Sequence, residues 1–367
     1  MKFTINQSSL DKALKIVSKG MGTHTTLPIL SGIYIRAANG AIEMQTTDAS
    51  ISVRHFVAAN VEEPGETVIS GKVLQNIVKA LSDAAVTFEG DIHSVTISSD
   101  KTTFKLKALS PKDFPTFPEV VPERTVELPS DVLSNMVDKV YRAASKETTR
   151  PLLQGILATV ENNTVRLVAT DSYRLAVCES TVDVPTKEAF EAIIPGVVFH
   201  DVLTMVAPKE SISIGTSHNQ VVFTFGTTTF VTRLIEGRYP AYQQLLPASC
   251  ASTVEVDTAV FSSAFNRVSV IAQQNTSVRF DVDADGGVIR LSANANDQGE
   301  SLEEVPASIS GKSLTFALNY RYVSDCLTAV SGFENLRIEL QDSNKPCIFK
   351  CSNEKVNYTY LLMPVRL

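Results

Sequence analysis

One pattern occurs three times in this chain, and any fold must accommodate all three copies. Residues 3–19 (FTINQSSLDKALKIVSK), 126–144 (VELPSDVLSNMVDKVYRAA) and 254–272 (VEVDTAVFSSAFNRVSVIA) align without gaps at offsets of 123 and 128. Each begins as a short alternating strand, passes a polar or helix-starting residue, and continues as an amphipathic helix. The apolar positions coincide: Leu10, Leu14 and Val17; Leu133, Val137 and Val140; Phe261, Phe265 and Val268. Spacing of i, i+4, i+7 sets three side chains on one face of a 3.6-residue helix. Three such units predict three related domains, drawn at 1–121, 122–247 and 248–367.

Between the repeats the same order recurs. In the first third, alternating runs at 29–37 and 41–47 flank Asn39-Gly40, a strong two-residue hairpin signal. A strand at 50–58 follows, then 67–69, a second helix at 72–81, and strands at 85–88, 93–98 and 102–108. The middle third repeats this with a second helix at 197–206, and the last third with one at 320–330. Proline-bearing linkers, 114–122 and 238–247, separate the thirds, with Phe114-Pro115 in one and Tyr239-Pro240 in the other. Each domain therefore reads as two halves, each a strand and helix followed by three strands. Antiparallel sheets packed outside two helices would bury the apolar helix faces. The fold class is α+β.

Composition narrows the function. No run approaches the roughly 18 apolar residues of a membrane span, and the N-terminus reads straight into strand and helix. A cytoplasmic protein with no membrane partner is expected, its five cysteines (Cys178, Cys250, Cys326, Cys347, Cys351) reduced thiols. A net charge of −7 argues against a nucleic-acid binder held by bulk positive field. By thirds the chain carries 12 basic and 12 acidic groups, then 11 and 14, then 10 and 14. That gradient would suit head-to-tail contact between the two ends.

Reactive sets are missing from the sequence. GETVISGK at 65–72 has five residues between its glycines where a phosphate loop has four, and Val73 stands where a hydroxyl would bind magnesium. DVDADG at 281–286 imitates a calcium loop, but its twelfth position is Ser292, so it reads as a hairpin turn. GMGTHT at 20–25 lacks the third glycine of a dinucleotide fingerprint. The five histidines show no metal-ligand spacing. No cofactor, metal or catalytic residue is assigned, although a site assembled only in space stays open.

The tripled opening unit, TLPIL around 27–30, ATDSYRLAV around 170–175, EGRYPAY around 236–240 and the terminal MPVRL together resemble the bacterial sliding clamps, the β subunits of DNA polymerase III. The resemblance runs from Met1 to Leu367. It implies a head-to-tail homodimeric ring with two helices per domain inside and sheets outside. Such a ring encircles double-stranded DNA without sequence preference and tethers the polymerase III catalytic subunit and other replication and repair proteins. An ATP-using clamp loader would be a further partner. A clamp paralogue with a repair or drug-resistance role is the alternative of the same fold, and a repeat-built enzyme with a dispersed site the alternative of another class.

Residues follow from the resemblance. The DNA-facing set is Lys12, Lys15, Lys19, His24, Lys72, Lys79, Lys139, Arg142, Lys146, Arg150, Arg267 and Arg321. A pocket for short linear motifs would use Leu153, Thr170, Ser172, Tyr173, Arg174, Leu175, Pro240, Leu245, Tyr322, Cys347, Leu361, Met363, Pro364 and Arg366, with Thr170 and Arg174 supplying hydrogen bonds. For the dimer joint, Lys19 and Arg142 align with Val270, so the third copy puts an apolar residue on a polar stripe. Val270 and Ile271 are then unexplained unless another surface covers them. Phe104 and Leu106 are the family's counterpart across the joint, with Lys72 facing Glu300, Glu303 and Glu304.

Overall fold

A computed structural model of the chain describes residues 1–22, 25–182, 189–295 and 299–366. The first repeat runs β1 (Lys2–Asn6), α1 (Gln7–Val17), β2 (Gly32–Ala38), β3 (Ala41–Thr47), β4 (Ile51–Ala58) and β5 (Asn60–Glu63). It continues through β6 (Gly65–Ser70), α2 (Gly71–Ala80), β7 (Ala85–Gly90), β8 (Ser94–Ser99) and β9 (Thr102–Lys107). The second holds β10 (Arg124–Pro129), α3 (Ser130–Val140), β11 (Gly155–Glu161), β12 (Thr164–Thr170), β13 (Arg174–Thr181) and β14 (Phe190–Pro195). Then come α4 (Gly196–Leu203), β15 (Ser211–Ser217), β16 (Gln220–Phe225) and β17 (Thr228–Arg233). The third has β18 (Ser252–Asp257), α5 (Thr258–Asn275), β19 (Ser277–Asp283), β20 (Val288–Ala295), β21 (Gly299–Pro306) and β22 (Ser308–Gly311). It ends with β23 (Leu314–Asn319), α6 (Tyr320–Ala329), β24 (Asn335–Leu340), β25 (Cys347–Ser352) and β26 (Val356–Leu362). No described helix is long and apolar enough to cross a membrane.

The repeat is visible in how the helices start. Asn6 caps α1 by accepting from Ser8 N–H at 2.9 Å, and Asp257 caps α5 through Val260 N–H at 2.8 Å. Each cap satisfies a backbone donor that the first helical turn leaves orphaned. Every apolar position matched across the three copies is buried, from Leu10 in α1 to Val268 in α5. Phe3 stacks on Phe88 at 4.7 Å in the first repeat, and Phe280 on Phe316 at 5.0 Å in the third. A buried ring of this size contributes about 1.5–3 kcal/mol by its area alone. Asn39 and Gly40 take φ of 51° and 74°, the left-handed pair that a two-residue hairpin demands.

The antiparallel sheets run across the repeat boundaries. The chain divides into two compact units, residues 1–131 with 201–234, and 132–200 with 235–367. In the first unit one sheet runs β5–β1–β7–β8–β9 and the other β10–β15–β16–β17–β4–β3–β2–β6. In the second unit the orders are β14–β11–β12–β13–β26–β25–β24–β18–β22 and β21–β20–β19–β23. The last strand of one repeat thus pairs with the fourth strand of the repeat before it: β17 with β4 and β26 with β13. Edge strands of neighbouring repeats cover one another, which removes open edges. Two short strands, β5 and β22, were not expected. Each has four residues, mostly exposed, with no apolar alternation to announce it.

Candidate functional sites

In the second unit a turn before β13 sets the geometry of the predicted pocket. Thr170 Oγ1 donates to the Arg174 carbonyl at 2.7 Å and accepts from Ser172 N–H at 3.3 Å. Asp171 Oδ1 accepts from the N–H groups of Tyr173 and Arg174, each at 3.0 Å. Ser172 sits at φ 78°, a strained position that these bonds hold in place. The turn pushes Tyr173 outward, 56% exposed, with its ring 6.5 Å from that of Tyr322 on α6.

Arg174 itself points the other way. It is 7% exposed, and its guanidinium reaches Asp171 Oδ2 at 2.9 Å, Asp325 Oδ2 at 2.6 Å, the Tyr360 hydroxyl at 3.3 Å and the Arg142 carbonyl. Its charge also lies 4.3 Å from the Tyr322 ring centroid. The expectation that Thr170 and Arg174 offer hydrogen bonds to a peptide is corrected: both are buried, and their polar atoms are already bonded within the fold. They build the rim. No local pattern pointed to Asp325 or Tyr360, which come from the third repeat.

On the opposite face of the sheet lies an apolar floor. Paired residues of antiparallel strands share a face, so Leu175, Leu361 and Ile348 line up across β13, β26 and β25. Leu157, Val168, Val177 and Ile193 extend this cluster, and Tyr239, Tyr242 and Leu246 of the 238–247 linker lie over it. Tyr239 is fixed by its hydroxyl, which donates to the carbonyls of Gly155 and Val168. Beside Tyr242 a cleft of 220 Å³ opens along Val177, Glu179, Gln243 and Thr359. Around the floor stand exposed Leu245, Met363 and Pro240, with Pro364 half-buried, whereas Arg366 lines a separate cleft with Ser277, Arg279, Glu300 and Ala317. Leu153, also expected in the pocket, is buried. The tail is held at two points: Met363 N–H donates to the Tyr173 carbonyl and Val365 N–H to the Ala317 carbonyl, each at 2.9 Å. Cys347 is a correction. It pairs with Leu362 on the other face of the sheet from Ile348 and Leu361, so it cannot line the groove.

Four of the residues expected at DNA are in ion pairs. Lys15 pairs with Asp11 at 2.6 Å, Lys19 with Asp201 at 2.7 Å and Arg150 with Glu147 at 2.6 Å. Arg267 forms a fork with Glu303, so one residue expected at DNA neutralises another expected at the joint. Arg142 is half-buried and lies over the Tyr141 ring. Lys12, Lys72, Lys79, Lys146 and Arg321 are exposed, with no carboxylate partner among the described residues. His24 lies outside the described residues.

Lys139 is the clearest correction. It is 9% exposed, with Nζ donating to the Ala329 carbonyl at 2.5 Å and lying 4.7 Å from the Phe333 ring. The amine serves the end of α6 and has no carboxylate partner among the described residues. Burial lowers its pKa below the lysine value of 10.5. The unfolded chain therefore binds this proton more tightly than the folded one. Stability is penalised below the folded pKa and recovers as pH rises toward 10.5. Lys139→Met should keep the packing and remove the penalty, giving a change between neutral and roughly 1–4 kcal/mol of stabilisation. Denaturant titrations from pH 7 to 10.5 check this: the gap between variant and wild type should close as pH rises.

Two sheet edges carry the residues expected at the joint. In the first unit, β9 ends its sheet with Phe104 and Leu106 half-buried. In the second, β21 ends its sheet with Leu302 68% exposed beside Glu300, Glu303 and Glu304, the last paired with Arg290 at 2.5 Å. On α5, Val270 is 62% exposed and Ile271 half-buried.

Three repeats sharing sheets across their boundaries, with a linker-capped groove at the junction, define a three-domain clamp protein. A crystal structure of the DNA polymerase sliding clamp from Bacillus subtilis matches at TM-score 0.93 and 28% identity, over 100% of this chain and 99% of the other. Curated proteins named beta sliding clamp are 29% identical in Bacillus subtilis and 30% identical in Synechococcus elongatus, each over 100% of both chains. The N-terminal, central and C-terminal domains of the DNA polymerase III beta subunit match residues 1–118, 127–241 and 243–366. The chain belongs to the DNA polymerase III beta subunit family, the sliding clamps. It is a non-catalytic processivity factor.

Proposed function

We propose that two copies close head to tail into a ring around duplex DNA in the bacterial cytoplasm. The joint brings β9 of one copy, with Phe104 and Leu106, against β21 and α5 of the other, with Val270, Ile271 and Leu302. The observation that carries this is a pair of unfinished sheet edges, one bearing half-buried apolar residues and the other exposed ones. Lys12, Lys72, Lys79, Lys146 and Arg321 supply the contacts to phosphate, with Lys15, Lys19 and Arg150 contributing as their ion pairs exchange. Such contacts carry no sequence information and weaken with salt, as sliding requires. The apolar groove over Leu175 and Leu361 takes extended peptides from the polymerase III catalytic subunit and other partners, its exposed Tyr173, Leu245 and Met363 adapting to their anchors. Opening of the ring falls to a loader that brings its own nucleotide.

Topology is the testable part. Loaded on closed circular DNA at moderate salt, the protein should stay through gel filtration and leave once the circle is cut. Equal retention on cut and closed DNA would overturn the ring.

A further inference from the structure

The turn that shapes the peptide groove is built a second time in the first unit. Thr47 Oγ1 donates to the Ile51 carbonyl at 2.7 Å and accepts from Ala49 N–H at 3.1 Å. Asp48 Oδ1 accepts from the N–H groups of Ser50 at 2.8 Å and Ile51 at 2.7 Å. Ala49 sits at φ 76° where its counterpart Ser172 sits at 78°. Thr47 and Thr170 stand at the repeat offset of 123. The short helical turns Pro28–Ser31 and Pro151–Gln154 match as well, as do the pairings of β4 with β17 and β13 with β26. The linkers also match, since Phe117 covers Val222 and Val231 much as Tyr242 covers the cluster holding Ile348 and Leu361.

The scaffold is shared and the wall differs. On β4 the positions of Leu175, Val177 and Glu179 are taken by Ser52, Arg54 and Phe56. Arg54 lies 4.3 Å from the Phe117 ring and donates to Glu119 Oε1 at 2.7 Å, while its Nε has no acceptor among the described residues. The Glu119 side chain is 73% exposed, so that pair is readily exchanged. Arg233 follows Val231 on the same face of β17 and is exposed without a carboxylate partner among the described residues. Phe56 is exposed at the other end of the row.

We propose that this first-unit groove is a second docking site for extended peptides, selective for those that place a carboxylate beside an apolar anchor. A ligand carboxylate would take the place of Glu119 on Arg54, a charge-assisted pair, while Arg233 attracts further acidic residues. Its apolar anchor would lie on the exposed Phe56. The proposal rests on the reading of the Leu175–Leu361 groove as a peptide site.

The test uses full-length protein with labelled valine, leucine and isoleucine methyl groups. The probes are octapeptides carrying a leucine–phenylalanine pair with either two aspartates or two lysines. On a Tyr173→Ala, Met363→Ala variant, which weakens the other groove, the aspartate peptide should shift the methyl signals of Val222 and Val231. Arg54→Met, which keeps the packing on Phe117, should weaken that binding at least tenfold while wild-type binding at Ile348 and Leu361 persists. The lysine peptide should leave Val222 and Val231 unmoved. Shifts confined to Ile348 and Leu361 in the wild type would overturn the second site and keep the first. Absence of shifts at both grooves would overturn the peptide reading itself.

Discussion

Arg174→Ala is expected to lower the stability of the second unit by about 3–5 kcal/mol, the range for removing one partner of a buried ion pair. The lower end is favoured because Asp325 is 33% exposed and recovers water, whereas Asp171, at 12%, does not. The Tyr360 hydroxyl and the Arg142 carbonyl lose a donor at the same time. At 2–4 °C per kcal/mol for a unit of this size, even 3 kcal/mol is a fall of roughly 6–12 °C in melting temperature. Lysine should not rescue it. One ammonium cannot span Asp171, Asp325, Tyr360 and the Arg142 carbonyl, which the planar fork reaches together. Peptide affinity should fall with stability, since the turn that presents Tyr173 and the helix that carries Tyr322 are tied through this group. Scanning calorimetry of Arg174→Ala and Arg174→Lys decides: a lysine variant within about 1 kcal/mol of wild type would refute the fork.

Periodicity revealed the repeat and the buried face of its helices because those depend on residues three and four apart. It could not reveal what covers the opposite face. At the repeat offset of 123 Lys139 stands in the place of the half-buried Ile16, beside the polar stripe, and the end of α6 and Phe333 close over it. Nothing within 130–140 shows which element supplies that cover. Arg174 stands next to Leu175 in sequence, but its side chain follows strand alternation to the far face, away from Leu175. Two of the bonds it makes reach residues 151 and 186 positions away. The pairing of β17 with β4 and β26 with β13 was hidden for the same reason. A strand's sequence shows that it needs neighbours and leaves open which repeat supplies them.

Arg267 and Glu303 show a related failure. A charge on an exposed helix face reads as available to a ligand, and here the neighbouring strand β21 supplies its counter-charge. By contrast Val270 was readable, because comparison of the three copies exposed it. Where Lys19 and Arg142 keep a charge at the surface, the third copy has valine, and that valine is 62% exposed.

Val270→Asp is therefore expected to break the ring. In a head-to-tail dimer each joint holds one copy of this residue, so a single substitution acts twice. A carboxylate driven into a covered apolar patch without a partner costs about 2–5 kcal/mol per joint, and two joints raise the dimer dissociation constant by roughly a thousandfold or more. The fold should survive, since Val270 contributes little to any core while exposed. Val197→Asp is the control: Val197 is 71% exposed on α4 and belongs to no proposed joint, so that variant should remain dimeric. Sedimentation at nanomolar concentration would report a monomer for Val270→Asp, and retention on closed circular DNA would disappear with it. Raising salt should not restore the dimer, because the penalty is desolvation of the new charge and not repulsion at long range. A Val270→Asp protein that sediments as wild type and stays on closed circles would exclude this face from the joint.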